Sequence, residues 1–325
     1  MDLSMLMDPG HVAAIQNLVP PVTAFFGRFD FLDSMPWYFI VISFLTLGLH
    51  PRYGVRLAML FGLNSGLNEA IKLACHLPRP YWVSAAVTAY SSGSSFGLPS
   101  GAAMYGAAMY GYIAAVIRKW WVVLVCIALL LTAGISRFLL GIHFVLDVLG
   151  GWILGLLLLV VFLLAMPRAE AFTARLSRPA RIALFVAVAA VPLLLVIPPY
   201  LSLAGWQLPA AWAALALQQT GSLIDPVRIQ YAYGASGIII GSLCGYEYLR
   251  SYGGWNPPRD LKRRVMVLVL GTLSALVVNE GIPVVWDIIG LTAVIPHLAT
   301  FLSMAVVTFW LMACVPLLAN KAGFT

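Results

Sequence analysis

The sequence predicts an all-α fold, a polytopic transmembrane helical bundle of about nine spans, since each span needs roughly 20 apolar residues. Three observations predict it. The chain is 62% hydrophobic and 10% charged, whereas soluble domains carry roughly 25% charged residues, and its mean hydropathy is +0.94. The apolar residues come in stretches of about bilayer length. The basic residues fall in short blocks between those stretches, which is how orientation in a membrane is encoded.

In chain order, residues 1–33 form an interfacial N-terminal segment. Its part over 11–33 is mixed in polarity and reads as a helix lying in the membrane surface. Apolar stretches near 35–49, 57–75, 99–117, 120–139 and 145–166 follow, so 34–166 reads as a five-span core. Residues 167–181 read as a basic connector. Four more stretches, near 182–198, 233–249, 265–283 and 293–318, complete a C-terminal part over 167–325.

If the turn at His50–Arg56 is cytoplasmic, the N-terminus is outside, the C-terminus is cytoplasmic, and all basic residues but Arg28, Lys72, Arg79, Arg137 and Arg228 fall inside. Basic groups that defy the orientation signal are candidates for function. The net charge of +7 is thereby accounted for, and no nucleic acid is expected as a partner. Cys75, Cys126, Cys244 and Cys314 lie in or beside apolar runs and lack metal or disulfide spacing. No basic n-region precedes an apolar core in the first thirty residues, so no cleaved signal peptide is expected. The absence of any Asn-x-Ser/Thr acceptor fits a bacterial source.

Three motifs carry chemistry. Lys72 is followed seven residues later by Arg79-Pro80. Pro99-Ser100-Gly101-Ala102 stands where the third span begins. Ser136-Arg137 is followed by His143 and Asp147. All fall on the outer side under the orientation given by the other basic residues. Lys72, Arg79 and Arg137 supply cations for a phosphate, and Arg can bind its oxygens in a fork. The helix start at Ser100 and Gly101 offers unpaired N–H groups and a positive dipole end. His143 and Asp147, four apart, share a helix face, so the carboxylate can hold the imidazole in one tautomer while the other nitrogen attacks phosphorus. Each feature alone has a bland reading: snorkelling cations, an interfacial His, a helix cap. Three loops carrying phosphate-type groups to one face favour the joint one. Neither a metal nor a cofactor is expected.

These segments resemble the type 2 phosphatidic acid phosphatase superfamily, which includes lipid phosphate phosphatases, glucose-6-phosphatase and vanadium haloperoxidases. Its pattern is Lys-x6-Arg-Pro, then Pro-Ser-Gly-His, then Ser-Arg-x5-His-x3-Asp, and the resemblance covers about residues 35–166. It implies phosphate binding by Lys72, Arg79, Ser100, Gly101 and Arg137, a nucleophile at His143 and an orienting partner at Asp147. Arg79-Pro80-Tyr81-Trp82 and the nine-span layout look similar to glucose-6-phosphatase. Ala102 stands where the pattern has the histidine that acts as general acid. Three readings of Ala102 follow: an engineered substitution, which the otherwise intact set favours; a diphosphate substrate, whose phosphate leaving group needs little protonation; or a phosphate-binding pseudo-enzyme.

The expected function is an integral membrane phosphatase acting on a lipid phosphate or diphosphate (a polyprenyl diphosphate, phosphatidate or sphingoid phosphate) through a phosphohistidine. Ala102 is expected to impair it. The expected location is a bacterial inner membrane, with the site facing the periplasm or exterior. The rivals are a sugar-phosphate phosphatase of the glucose-6-phosphatase type and a non-catalytic phosphate-lipid binder or transporter. Membrane lipids and a phosphorylated lipid substrate are the expected partners. The spacing of Gly151 and Gly155 suits close helix packing around the site and leaves a homo-oligomer open. Glu69 is expected to balance Lys72. His76, before the helix-breaking Pro78, is expected to face the interface, and the aromatic segment 199–232 to shape substrate entry.

Overall fold

The computed structural model describes residues 3–324, which form helices and their connections, with no strand among them. Two short helices, α1 (Pro9–Leu18) and α2 (Pro20–Gly27), lead to a 3₁₀ turn at Asp30–Asp33. Then come α3 (Met35–Ser43), α4 (Pro51–Cys75), the single turn α5 (Pro80–Val83), α6 (Gly101–Ile117), α7 (Trp120–Leu139) and α8 (Val145–Ala174). The second half holds α9 (Arg178–Ser202), α10 (Ala210–Thr220), α11 (Gln230–Ser251), α12 (Leu261–Ile288), the turn α13 (Leu291–Val294), α14 (Pro296–Phe309) and α15 (Val315–Lys321).

Among the described residues, five helical stretches are long and apolar enough to cross a membrane: Trp120–Leu139, Val145–Ala174, Arg178–Ser202, Leu261–Ile288 and Pro296–Lys321. Their outward faces suit lipid. On α7, Leu124, Ile127, Leu131 and Ile135 are exposed, and on α8 Ile153, Leu157, Val160, Val161 and Leu164 are. That helical spacing leaves an apolar stripe pointing away from the fold, which in water would be an aggregation surface. The other expected crossings are shorter (Met35–Leu49 and Gly101–Ile117) or more polar (α4 and α11). α4 is polar because it carries Arg52, Arg56, Asn64, Asn68, Glu69 and Lys72. α6 is short because it begins only at Gly101, where Ser100 caps it with φ −63° and ψ 123°.

The chain folds into two compact units, each drawn from separate stretches of the sequence. The first comprises the N-terminal part through Ser34, Leu67–Leu163 and Leu195–Ile229. Its frame is α6 against α8. A Cβ at Gly151 would stand 2.7 Å from the Ser100 carbonyl oxygen, and one at Gly155 would stand 2.9 Å from the Ala107 Cβ. The small-xxx-small pair on α8 therefore seats the start of α6, as close helix approach in a membrane requires.

The second unit comprises Met35–Gly66, Leu164–Leu194 and the chain from Gln230 onward. Here α11 lies on α14 through Gly237, Gly241 and Gly245; a Cβ at Gly237 would meet that of Met304 at 3.0 Å. The expected connector 167–181 is mostly helical. α8 continues through Pro167 to Ala174, and α9 resumes at Arg178. Its extension is held by Glu170, which pairs with Arg52 and, at 2.6 Å, with Arg56. Arg181 likewise pairs with Glu247.

Candidate active site

All the motif residues fall in the first unit, and three loops bring them together. α4 ends at Cys75. His76 adopts a left-handed φ of 39°, a conformation a bulky residue rarely takes, and its N–H still bonds the Lys72 carbonyl at 2.8 Å. That turn throws the chain outward, so Arg79 heads α5 and leads into the loop 84–98. The exposed His76 lies near the Phe96 ring, with centroids 6.3 Å apart, and takes no part in the site.

Arg79 is buried and spans the site. Its Nε donates to the Ser95 carbonyl at 2.7 Å, Nη2 donates to Ser95 Oγ at 3.1 Å, and Nη1 donates to the Ile142 carbonyl at 3.0 Å. Gly93 makes room for it, since a Cβ there would stand 2.6 Å from the guanidinium carbon. Lys72 Nζ donates to the same Ser95 Oγ at 2.8 Å. One hydroxyl thus holds both cations side by side.

His143 sits in the turn between α7 and α8, and Asp147 in the first turn of α8. Both are buried. His143 Nδ1 lies 3.1 Å from Asp147 Oδ2, which also accepts the Phe144 N–H at 2.9 Å. A carboxylate can only accept, so Nδ1 carries the proton and Nε2 presents its lone pair. That nitrogen faces Arg79 Nη1 at 3.3 Å. Burial, and then the charges of Arg79, Lys72 and Arg137, push the His143 pKa well below its ordinary value. The ring is held neutral, the form a nucleophile needs. Gly97 gives the Asp147 carboxylate space, for a Cβ there would stand 3.0 Å from Oδ2.

At the start of α6, the Ser100 N–H bonds the Asp147 carbonyl at 2.9 Å, tying the second motif to the third. Ser100 Oγ is fully buried and has no hydrogen-bond partner. A buried unpaired hydroxyl costs roughly 1–3 kcal/mol, and an anion held by the nearby cations would relieve it. Asn68 Nδ2 donates to the Pro99 carbonyl at 3.2 Å, holding α4 to this corner. Ala102 is buried one residue into α6.

Arg137 lies near enough to act on the His143 charge, but it is not isolated. Its Nη2 stands 2.7 Å from Asp30 Oδ1, and Nη1 stands 3.6 Å from Asp33 Oδ2. The 2.7 Å contact is an ion pair without hydrogen-bond alignment, because Nη2 makes no hydrogen bond. Arg137 Nε donates to Ser136 Oγ at 3.3 Å. Ser91 Oγ donates to the other Asp30 oxygen at 3.0 Å.

Glu69 is buried at 3% exposure with Oε1 unpartnered. Among the described residues no ion pair joins it to Lys72, whose ammonium donates to Ser95 Oγ instead. The two interact only through their longer-range fields. The helix spacing that suggested a direct pair does not set rotamers, and the Ser95 hydroxyl wins the ammonium. Sequence reasoning also missed Ser95, Asp30, Asp33 and Ser94. The polar run Ser91-Ser92-Gly93-Ser94-Ser95 between two motifs was the available signal for the serines. Asp30 and Asp33, two acids in a mixed segment, carried none.

The helical, lipid-suited faces among the described residues are those of an integral membrane protein, and its buried imidazole–carboxylate pair lies among cations. Residues 53–171 match the model of the PAP2 superfamily, and residues 233–325 match that of the PAP2 superfamily phosphatase, transmembrane extension. The chain belongs to the PAP2 superfamily. It is 35% identical over 114 residues to phosphatidylglycerophosphatase B of Bacillus subtilis (strain 168), a match over 32% of this chain and 54% of that protein. The chain thus spans about half the length of this curated relative. No solved structure gives a significant match.

Proposed function

We propose that the chain is a membrane phosphatase hydrolysing a lipid phosphate or diphosphate (a polyprenyl diphosphate, phosphatidate or sphingoid phosphate) at the outer membrane face, without a metal. The carrying observation is the line Asp147 Oδ2–His143 Nδ1, 3.1 Å, followed by His143 Nε2 facing Arg79 at 3.3 Å. Nε2 attacks phosphorus, the bond to the leaving oxygen breaks, and the phosphoryl group passes to the ring. Asp147 meets the positive charge that develops on the imidazole. Lys72, Arg79, Arg137 and the amides and hydroxyl at Ser100–Gly101 meet the charge on the phosphoryl oxygens. Water then releases phosphate. The curated relative's name, a phosphatidylglycerophosphatase, supports a lipid tail.

In this reading nine helical stretches cross the bilayer, the five named above together with Met35–Leu49, α4, α6 and α11. The N-terminus is outside and the C-terminus cytoplasmic, in a bacterial inner membrane with the site toward the periplasm or exterior. The supporting observation is that the three motifs lie at helix ends that share one side once the other basic residues are placed in the cytoplasm. A second reading, a phosphate-lipid binder without turnover, is favoured by Ala102 alone. The test is to incubate the purified chain with radiolabelled lipid phosphates and diphosphates, quench in alkali, and follow the label on protein. Label that appears in the unchanged chain and vanishes in His143→Ala supports the phosphohistidine scheme. Turnover that persists in His143→Ala rejects it. Lipid binding without label or turnover, in this chain and in Ala102→His, leaves the binder.

A further inference from the structure

The segment Leu195–Ile229 lies between the two family-matched regions, yet it folds into the unit that holds the site. Four of its side chains meet the rim loop 84–98 and α5. Trp206 packs on Phe96 with centroids 5.4 Å apart, and Trp212 on Trp82 at 6.1 Å. Gln219 accepts the Ala89 N–H at 3.0 Å and donates to the Ser84 carbonyl at 3.4 Å. Arg228 donates through Nη2 to Ser94 Oγ. Ser94 is the neighbour of Ser95, whose hydroxyl gathers Lys72 and Arg79. Arg228, Lys72 and Arg79 all act electrostatically on the buried Glu69 carboxyl. Arg228 is therefore part of the same cationic field, one residue further toward the rim.

Three cations already surround His143, enough for the phosphoryl group being transferred. Arg228 stands outside that ring and is partly exposed, at 36% for its side chain. Its Nε donates to the Asp225 carbonyl at 3.1 Å and faces Asp225 Oδ2 at 3.7 Å. Among the described residues its Nη1 has no partner. Ala102 bears on the same question independently. With no imidazole there to protonate a leaving oxygen, the site favours a leaving group that is stable as an anion.

We propose that Arg228 is a specificity-determining cation that receives the second phosphate of a diphosphate-bearing lipid. This rests on the phosphatase reading above. His143 Nε2 bonds to the terminal phosphorus as its bond to the bridging oxygen breaks. The electron pair of that bond leaves with the inner phosphate, whose added charge Arg228 meets. Water then cleaves the phosphohistidine, giving inorganic phosphate and the lipid monophosphate.

The experiment titrates the purified full chain with inorganic pyrophosphate and inorganic phosphate. It also measures phosphate release from a diphosphate and a monophosphate of the same lipid tail. Arg228→Gln is expected to lower the preference for pyrophosphate over phosphate, and the diphosphate-to-monophosphate ratio of kcat/KM, by about tenfold or more, the usual scale of one charge-assisted hydrogen bond. Arg228→Lys is expected to restore most of both. Ser94→Ala, which removes only the anchor, is expected to keep the preference. An unchanged preference in Arg228→Gln, an equal loss on both anions, or the same shift in Ser94→Ala overturns the proposal. If the unchanged chain binds neither anion and releases no phosphate, the phosphatase reading falls and this inference falls with it. Binding that Lys72→Met abolishes but Arg228→Gln leaves alone removes this inference only.

Discussion

Residue 102 is where the chemistry is most exposed to a single change. Ala102 is buried beside Ser100, at the end of α6 that meets Asp147 and Asn68, and in the proposed mechanism an imidazole introduced there would act as proton donor to the leaving oxygen. Ala102→His is expected to raise phosphate release from a lipid monophosphate by about 10²–10⁴-fold, the scale of general acid catalysis. The gain on a diphosphate should be smaller. Equal gains on both would count against the leaving-group argument. His143 carries a second prediction. Its pKa in the fold lies well below the ordinary value, while the unfolded chain takes the proton near 6.5. The unfolded state therefore binds the proton first as pH falls, and this residue's contribution to stability is intact above about 6.5 and declines below it. NMR of a ring-labelled His143 should show the neutral form persisting below pH 6.5. A midpoint at or above 6.5 would contradict the burial and charge argument. Lys72, Arg79, His143 and Asp147 were legible as candidates because side-chain chemistry and spacing do not depend on packing. Ser95 and the Arg137–Asp30 pair were not, because their partners are distant in sequence and no local rule chooses between a phosphate and a carboxylate for a guanidinium.

At the scale of elements, the α6–α8 contact sets the site's geometry. α8 brings Asp147 at its first turn and α6 brings Ser100 at its start, and Gly151 and Gly155 let the two backbones touch. Replacing Gly155 by Val forces a side chain onto the Met104 carbonyl and the Ala107 Cβ. The expected result is a loss of about 1–3 kcal/mol, the range for overpacking, read as a lower midpoint of thermal unfolding in detergent. KM should rise more than kcat falls, since the phosphate-binding corner shifts while the hydrogen bond between His143, in the turn before α8, and Asp147, in its first turn, is kept. An unchanged midpoint would show that the interface has slack. The long helices were readable from apolar stretches, and α7 runs over Trp120–Leu139, as the stretch marks it. The continuation of α8 through Pro167 was not readable. Proline signals a helix end, and only the ion pairs of Glu170 with Arg52 and Arg56 explain why the helix goes on.

At the scale of the whole molecule, orientation is the quantity to measure. With the native cysteines replaced, Ala85→Cys in the rim loop and Asn256→Cys in the turn before α12 report opposite sides. A membrane-impermeant thiol reagent added to intact cells is expected to label position 85 and to reach 256 only after lysis. The reverse pattern would put the site in the cytoplasm and undo the outer-face proposal. Composition alone determined that this chain is a helical membrane protein, because 10% charged residues cannot keep such a surface in water. The three motifs, by residue type and spacing, determined which side chains could meet a phosphate. What only the tertiary structure decided is which distant groups share that place: Ser95 beneath two cations, two aspartates on Arg137, and Arg228 brought to the rim by a segment far along the chain. Those choices depend on how separate helices pack, and packing joins residues whose order along the chain carries no record of their meeting.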